Sequence, residues 1–75
     1  MTPNQAKVLK FIKQYWKKND YSPSFKEIAD GCKYTSNSSP YFLVHALEKR
    51  GYITTIPHAK RSIKLTEDGR NYGQQ

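Results

Sequence analysis

The stretch PSFKEIADGCKYTSNSSPYFLVHALEKRG, residues 23–51, decides the architecture. Its leading proline disfavours helical geometry at Ser22, so the preceding Asp20-Tyr21-Ser22 is a connector. Ser24-Phe25-Lys26-Glu27 is a capping box, in which the Ser24 hydroxyl accepts from the Glu27 amide and the Glu27 carboxylate reaches back to the Ser24 amide. Phe25, Ile28, Ala29 and Cys32 then fall at i, i+3, i+4 and i+7, which predicts a short helix that buries this face. Gly31 costs a helix interior roughly 1 kcal/mol relative to alanine, so it belongs near the helix end. The polar run Thr35-Ser36-Asn37-Ser38-Ser39 interrupts the pattern, and a further helix begins near Pro40. Proline belongs in a first turn, which puts the N-cap at Ser38 or Ser39, or at Ser36 if that turn is distorted. The helix runs to Arg50, with Lys49 and Arg50 at the negative end of its dipole and Gly51 as its stop.

The two faces of this second helix differ in kind. Pro40, Leu43, Val44 and Leu47 make a core face, whereas Ser38, Tyr41, Phe42, His45 and Lys49 share the opposite stripe. Two aromatics have no reason to stand on a face that meets only water. Either they contact a partner, or they wrap around the edge of the core.

Working upstream, Thr2 is an N-cap, Pro3 occupies a first-turn position that needs no N–H, and Gln5 completes a second capping box. Val8, Leu9, Ile12, Tyr15 and Trp16 recur at helical spacing with Phe11 beside them, which predicts an amphipathic helix ending near Asn19. Lys7, Lys10, Lys13 and Lys17 occupy its other side, a solvated face unless a phosphate meets it. Downstream, the period changes. Tyr52 to Ile56 and Ser62 to Leu65 read as strands, and Pro57-His58-Ala59-Lys60-Arg61 as a basic turn between them. A lone hairpin is marginal in water, so Ile53, Ile63 and Leu65 must pack onto the helices. Thr66-Glu67-Asp68-Gly69 starts a short terminal turn within a polar tail, residues 67–75, after a domain of residues 1–66.

Composition narrows the function. The chain has 75 residues, with 13 Lys or Arg against 6 Asp or Glu and a formal charge of +7, which is one small basic domain. With 36% hydrophobic residues it can build one core, not a roomy enclosed pocket, so an enzyme with a deep cavity is not expected. His45 and His58 are far apart, Cys32 reads as a core residue, and no Cys or His cluster has metal spacing, so no cofactor, metal or small-molecule ligand is expected. A single cysteine, no apolar run of membrane length and no signal-peptide pattern predict an intracellular, cytoplasmic protein with no membrane partner. The lysines crowd two flanks, 7–18 and 60–64, around a nearly neutral centre, so an anion would be gripped from both.

A leading helix, two helices joined by a short polar turn and a terminal hairpin make a winged helix-turn-helix, an α+β fold that is mainly α. Such a fold suits double-stranded DNA, because a helix fits the major groove and a hairpin can lie along the backbone. The chain also resembles the N-terminal DNA-binding domain of the LexA repressor family over residues 2–65. The resemblance is carried by Thr2-Pro3-Asn4-Gln5 with Val8 and Ile12, Pro23-Ser24 with Glu27-Ile28-Ala29, Ala46-Leu47 with Gly51 and Ile53, and Arg61 with Ile63 and Leu65. It implies a repressor-like transcription regulator whose base-reading positions fall on Ser36, Ser38, Ser39, Tyr41 and Phe42. It also shows departures. Tyr41 and Phe42 stand where that family has acidic side chains, which implies a different operator. Lys33 stands at the usual helix-ending glycine, Pro40 replaces a small residue, and the wing tip lacks the family's glycines. No Ser-Lys dyad is assignable, so self-cleavage is not expected of these residues.

The expected division of labour follows from groove chemistry. Ser38, Ser39 and Tyr41 donate or accept at base edges, Phe42 meets a thymine methyl or excludes water, and Asn37 bonds base or phosphate, with His45 on the same stripe. Lys49, Lys60, Arg61 and Lys64 neutralise phosphates. One such domain covers a single half-site, so high affinity needs a homodimer, tandem sites or a heterologous protein partner, with Trp16 and Tyr72 as candidates for a contact between copies. The competing reading is a protein-binding winged helix that modulates a larger regulator or RNA polymerase, since aromatics suit interfaces as well as grooves. Single-stranded nucleic acid is a third, although this fold offers no open aromatic sheet.

Overall fold

The computed structural model of the chain describes residues 2–35, 38–56 and 62–72. Helix α1 spans Pro3–Asn19, α2 Phe25–Cys32 and α3 Ser38–Lys49; strands β1, Ile53–Thr54, and β2, Lys64–Leu65, follow, and then α4, Glu67–Asn71. The strands are antiparallel, with Ile53 opposite Leu65 and Thr54 opposite Lys64. This is the winged helix-turn-helix order read from the sequence.

Local chemistry sets each boundary. The Thr2 hydroxyl accepts from the Gln5 amide at 3.2 Å and the Ser24 hydroxyl from the Glu27 amide at 3.2 Å, each returned by the side chain three residues on. Both capping boxes therefore form as expected, and Gly31 is the penultimate residue of α2. Helix α3 is already under way at Ser38, so neither Ser38 nor Ser39 is its cap, and any cap lies in the residues before it, outside the described part. Its other end closes on Gly51, at φ 84, where the Gly51 and Tyr52 amides donate to the Glu48 and Leu47 carbonyls.

One core joins the helices to the wing. Val8, Leu9 and Ile12 of α1, Ile28 and Cys32 of α2, Val44 and Leu47 of α3, and Ile53 and Ile63 of the hairpin are all buried together. Leu43, Leu65 and Trp16 cover its edges. Phe25 departs from expectation: it is 36% exposed, because its ring lies against Tyr41 rather than in this core.

The ladder is shorter than the strand patterns predicted, and the reason is visible in its hydrogen bonds. The next pair beyond Thr54 and Lys64 would be Thr55 and Ile63, but Thr55 gives its amide to the Glu48 carboxylate at 3.1 Å. Ile63 in turn gives its amide to the Ser22 hydroxyl at 3.0 Å, and its carbonyl accepts from Trp16 Nε1 at 2.8 Å. Side chains of α1, α3 and the connector at Ser22 thus take over from the sheet. Trp16, a candidate for contact with a second copy, is half-buried and gives its indole N–H to the Ile63 carbonyl. The segment read as a polar tail is not uniform either. Thr66 caps α4, the Gly69 amide donates to its hydroxyl at 3.1 Å, and the Tyr72 ring stacks edge-on against Tyr52.

Candidate nucleic-acid interface

The geometry of α3 starts with the end of α2. Lys33 adopts the left-handed conformation, φ 63, and the Tyr34 amide closes on the Ala29 carbonyl at 2.8 Å. The turn that a glycine usually makes is therefore made by a lysine, at a backbone cost of about 1–2 kcal/mol. Lys7 reaches across from α1, donates to the Cys32 carbonyl at 2.9 Å and sits over the Tyr34 ring at 5.5 Å. A cation at a helix C-terminus meets carbonyls that have no partner within the helix, which holds the entry to α3.

On α3 the two faces separate as the sequence required. Pro40, Val44 and Leu47 are buried, while Tyr41, Phe42, His45 and Lys49 are exposed. Phe42 is 69% exposed, so it does not wrap around the core edge. Tyr41 organises the stripe: its ring centroid lies 4.3 Å from His45, 5.9 Å from Phe42 and 5.8 Å from Phe25 of α2, all tilted or edge-on. Edge-to-face pairs within 4.5–7 Å are favourable beyond their buried area, so the array fixes the Tyr41 ring in an exposed position.

The wing is tied to the same helix. Glu48 accepts from both the Thr55 amide, 3.1 Å, and the Thr55 hydroxyl, 2.8 Å, and its other oxygen lies 3.7 Å from His45 Nδ1. Lys64, on β2, is exposed beside its cross-strand partner Thr54. Ser62 brackets Ile56, accepting its amide and donating to its carbonyl, both at 3.2 Å. Tyr41, Phe42, His45 and Lys49 thus share one surface, with Lys64 on the attached hairpin. Ser39 is half-buried on the flank toward Leu43. Ser36, Asn37, Lys60, Arg61 and the side chain of Ser38 lie outside the described residues.

Two contributors escaped the sequence reading. The i, i+3 spacing of Phe25 predicts a core position, and the sequence singles out no role for Glu48. The aromatic at the first position after a capping box, facing a second aromatic-rich helix, was the signal available for Phe25. Nothing local signals that Glu48 grips Thr55. The lysines of α1 fall on the side expected of them. Lys10, Lys17 and Lys18 are exposed on the side of α1 turned from Val8, Leu9 and Ile12, which pack toward α3.

Three helices followed by an antiparallel two-stranded hairpin braced against the third define the winged helix-turn-helix class. A family profile described as LexA DNA binding domain matches residues 1–62, and the chain belongs to that family. It is 46% identical over 67 residues to a LexA repressor of Thermosipho melanesiensis, covering 89% of this chain and 33% of the relative. A LexA repressor of Thermotoga maritima is 38% identical over 71 residues, 95% of this chain and 36% of the relative, and one of Syntrophobacter fumaroxidans 35% over 66 residues, 87% and 32%. The chain therefore spans about a third of the length of the curated relatives it matches.

Among the described residues no group of three or more His, Cys, Asp or Glu is placed to hold a metal ion, and no helix is long and apolar enough to cross a membrane.

Proposed function

We propose that the protein is a sequence-specific double-stranded DNA-binding repressor of transcription that lays α3 in the major groove and its basic wing along the backbone. The observation that carries this reading is the Tyr41, Phe42 and His45 stripe. It is exposed, pre-ordered by ring contacts and unused by the core. Family membership supports the same partner class. Tyr41 and His45 supply hydrogen-bonding edges, Phe42 an apolar contact for a thymine methyl, and Lys49 and Lys64 charges for phosphates on either side. Ser36, Asn37, Ser38, Lys60 and Arg61 are assigned to the same interface from the sequence, and Ser39 to its margin. The preferred site differs from that of relatives with acidic side chains at the start of this helix, because a carboxylate accepts from cytosine N4 and an aromatic does not. High affinity comes from two half-sites filled by two copies, in the cytoplasm where the nucleoid lies.

Selection of bound duplexes from a random pool by the purified protein tests this. An enriched motif with half-sites about one helical turn apart is the expected result. Recovery of unselected sequence, bound with the same affinity as the starting pool, overturns it.

A further inference from the structure

The outward face of α1 is not explained by DNA reading. Helix α1 contains Lys7, Lys10, Lys13, Lys17 and Lys18 and not one acidic residue. Among the described residues none of these lysines has a carboxylate partner. Beside them lies a groove of about 590 Å³, lined by Pro3, Ala6, Gln14 and Tyr72 together with Lys7, Lys10 and Lys13. Lys13 donates to the Tyr72 carbonyl, so the α4 end of the groove is anchored to α1. Its lining is mostly apolar, and with Lys7 and Lys13 donating to the Cys32 and Tyr72 carbonyls the Lys10 ammonium is the one left open to a ligand among its lining lysines.

We propose that this groove docks an acidic peptide segment of a partner protein, with an aliphatic side chain seated on Pro3, Ala6 and Tyr72 and a flanking carboxylate on Lys10. Charge complementarity selects an anion, since the face holds only cations. Shape and polarity select a peptide over a second duplex: a phosphate backbone is convex and wholly polar, would meet the lysine tips and would leave the apolar floor unused. No residue lining the groove is among those assigned to the duplex at α3 and the wing, so docking and duplex binding use different side chains. The inference goes beyond the proposed DNA reading and does not depend on it.

The test is a titration of the isotope-labelled chain, free and saturated with duplex, by a short blocked peptide carrying leucines among aspartates. Amide shifts are expected at Ala6, Lys10 and Tyr72, and none at Tyr41 or His45, with or without duplex. Lys10→Glu should weaken the peptide roughly fivefold or more, as the reversal of one exposed charge pair allows, while duplex affinity holds at physiological salt. Ala6→Gln fills the floor without changing charge and should weaken the peptide too. Shifts centred on α3, displacement of peptide by duplex, equal binding of a peptide with serine for leucine, or no shifts at millimolar peptide each overturn the proposal. An unaltered spectral dispersion in both variants confirms that a loss is not unfolding.

Discussion

The Ser22 hydroxyl accepts the Ile63 amide at 3.0 Å and donates to the Pro23 carbonyl at 2.8 Å, so a buried connector residue takes the place of a strand neighbour for the wing. Ser22 is 1% exposed, and water does not substitute at this point. Ser22→Ala leaves the Ile63 N–H buried without its acceptor, at a cost of about 1–3 kcal/mol. For a domain of this size that lowers Tm by several degrees, roughly 4–8 °C per kcal/mol. Thermal unfolding and amide exchange at Ile63 check it, and an unchanged Tm with slow exchange contradicts it.

What was legible in the sequence and what was not divides along contact range. The caps at Thr2 and Ser24, the stop at Gly51 and the faces of α1 and α3 are short-range features, readable because cap geometry and helical period act within a few residues. The exposed Tyr41 stripe was legible for the same reason: Val44 and Leu47 fix which side of α3 is buried. The short ladder was not, because it ends where Ser22, Trp16 and Glu48 capture backbone groups of Ile63 and Thr55, across separations of 41, 47 and 7 residues. Phe25 obeyed the helical period and still left the core, since its outcome depended on Tyr41 of another helix.

Lys33 holds a left-handed backbone at φ 63, which a glycine adopts without the Cβ clash. Lys33→Gly relieves this strain but adds freedom to the unfolded chain, leaving a net gain of about 0.5–1 kcal/mol. Urea unfolding should show a higher midpoint at unchanged slope. A lower midpoint means that the lysine side chain contributes more than its backbone costs.

A Cβ on Gly69 would stand 2.0 Å from the Tyr52 carbonyl oxygen, which is backbone and cannot turn aside. Gly69→Ala therefore undocks α4, freeing Tyr72 from Tyr52 and from Lys13. The expected signs are faster exchange of the Arg70 and Tyr72 amides and a loss of the ring-current shifts that Tyr52 and Tyr72 impose on each other. Retention of both shows that Tyr52 moves with little cost.

Reading and clamping separate on the DNA side. Tyr41→Ala should cost about 1–3 kcal/mol on the selected duplex and little on random sequence, because its contact is with base edges. Lys64→Ala should weaken all duplexes alike and reduce the slope of log K against log salt by about 1, since one phosphate is no longer neutralised. Binding isotherms at several salt concentrations decide it. Equal losses on selected and random duplexes for both variants would remove the division.

Burial pushes the Cys32 thiol above its ordinary value of 9.0, partly opposed by nearby Lys7, and burial followed by the neighbouring Cys32 charge pushes the Tyr34 hydroxyl above 10.0. In each case the folded state holds its proton more tightly than the unfolded chain. Stability from these groups is thus complete below pH 9.0, where both states are neutral, and falls as pH rises past 9.0 for Cys32 and 10.0 for Tyr34 toward the folded-state values. Urea midpoints should be level from neutral pH to about 9 and decline above it. Cys32→Ala should remove the first part of that decline while lowering the neutral-pH midpoint, because it leaves a small void in the buried core. A midpoint that rises with pH in this range would mean that the thiolate is favoured by the fold, with Lys7 outweighing burial.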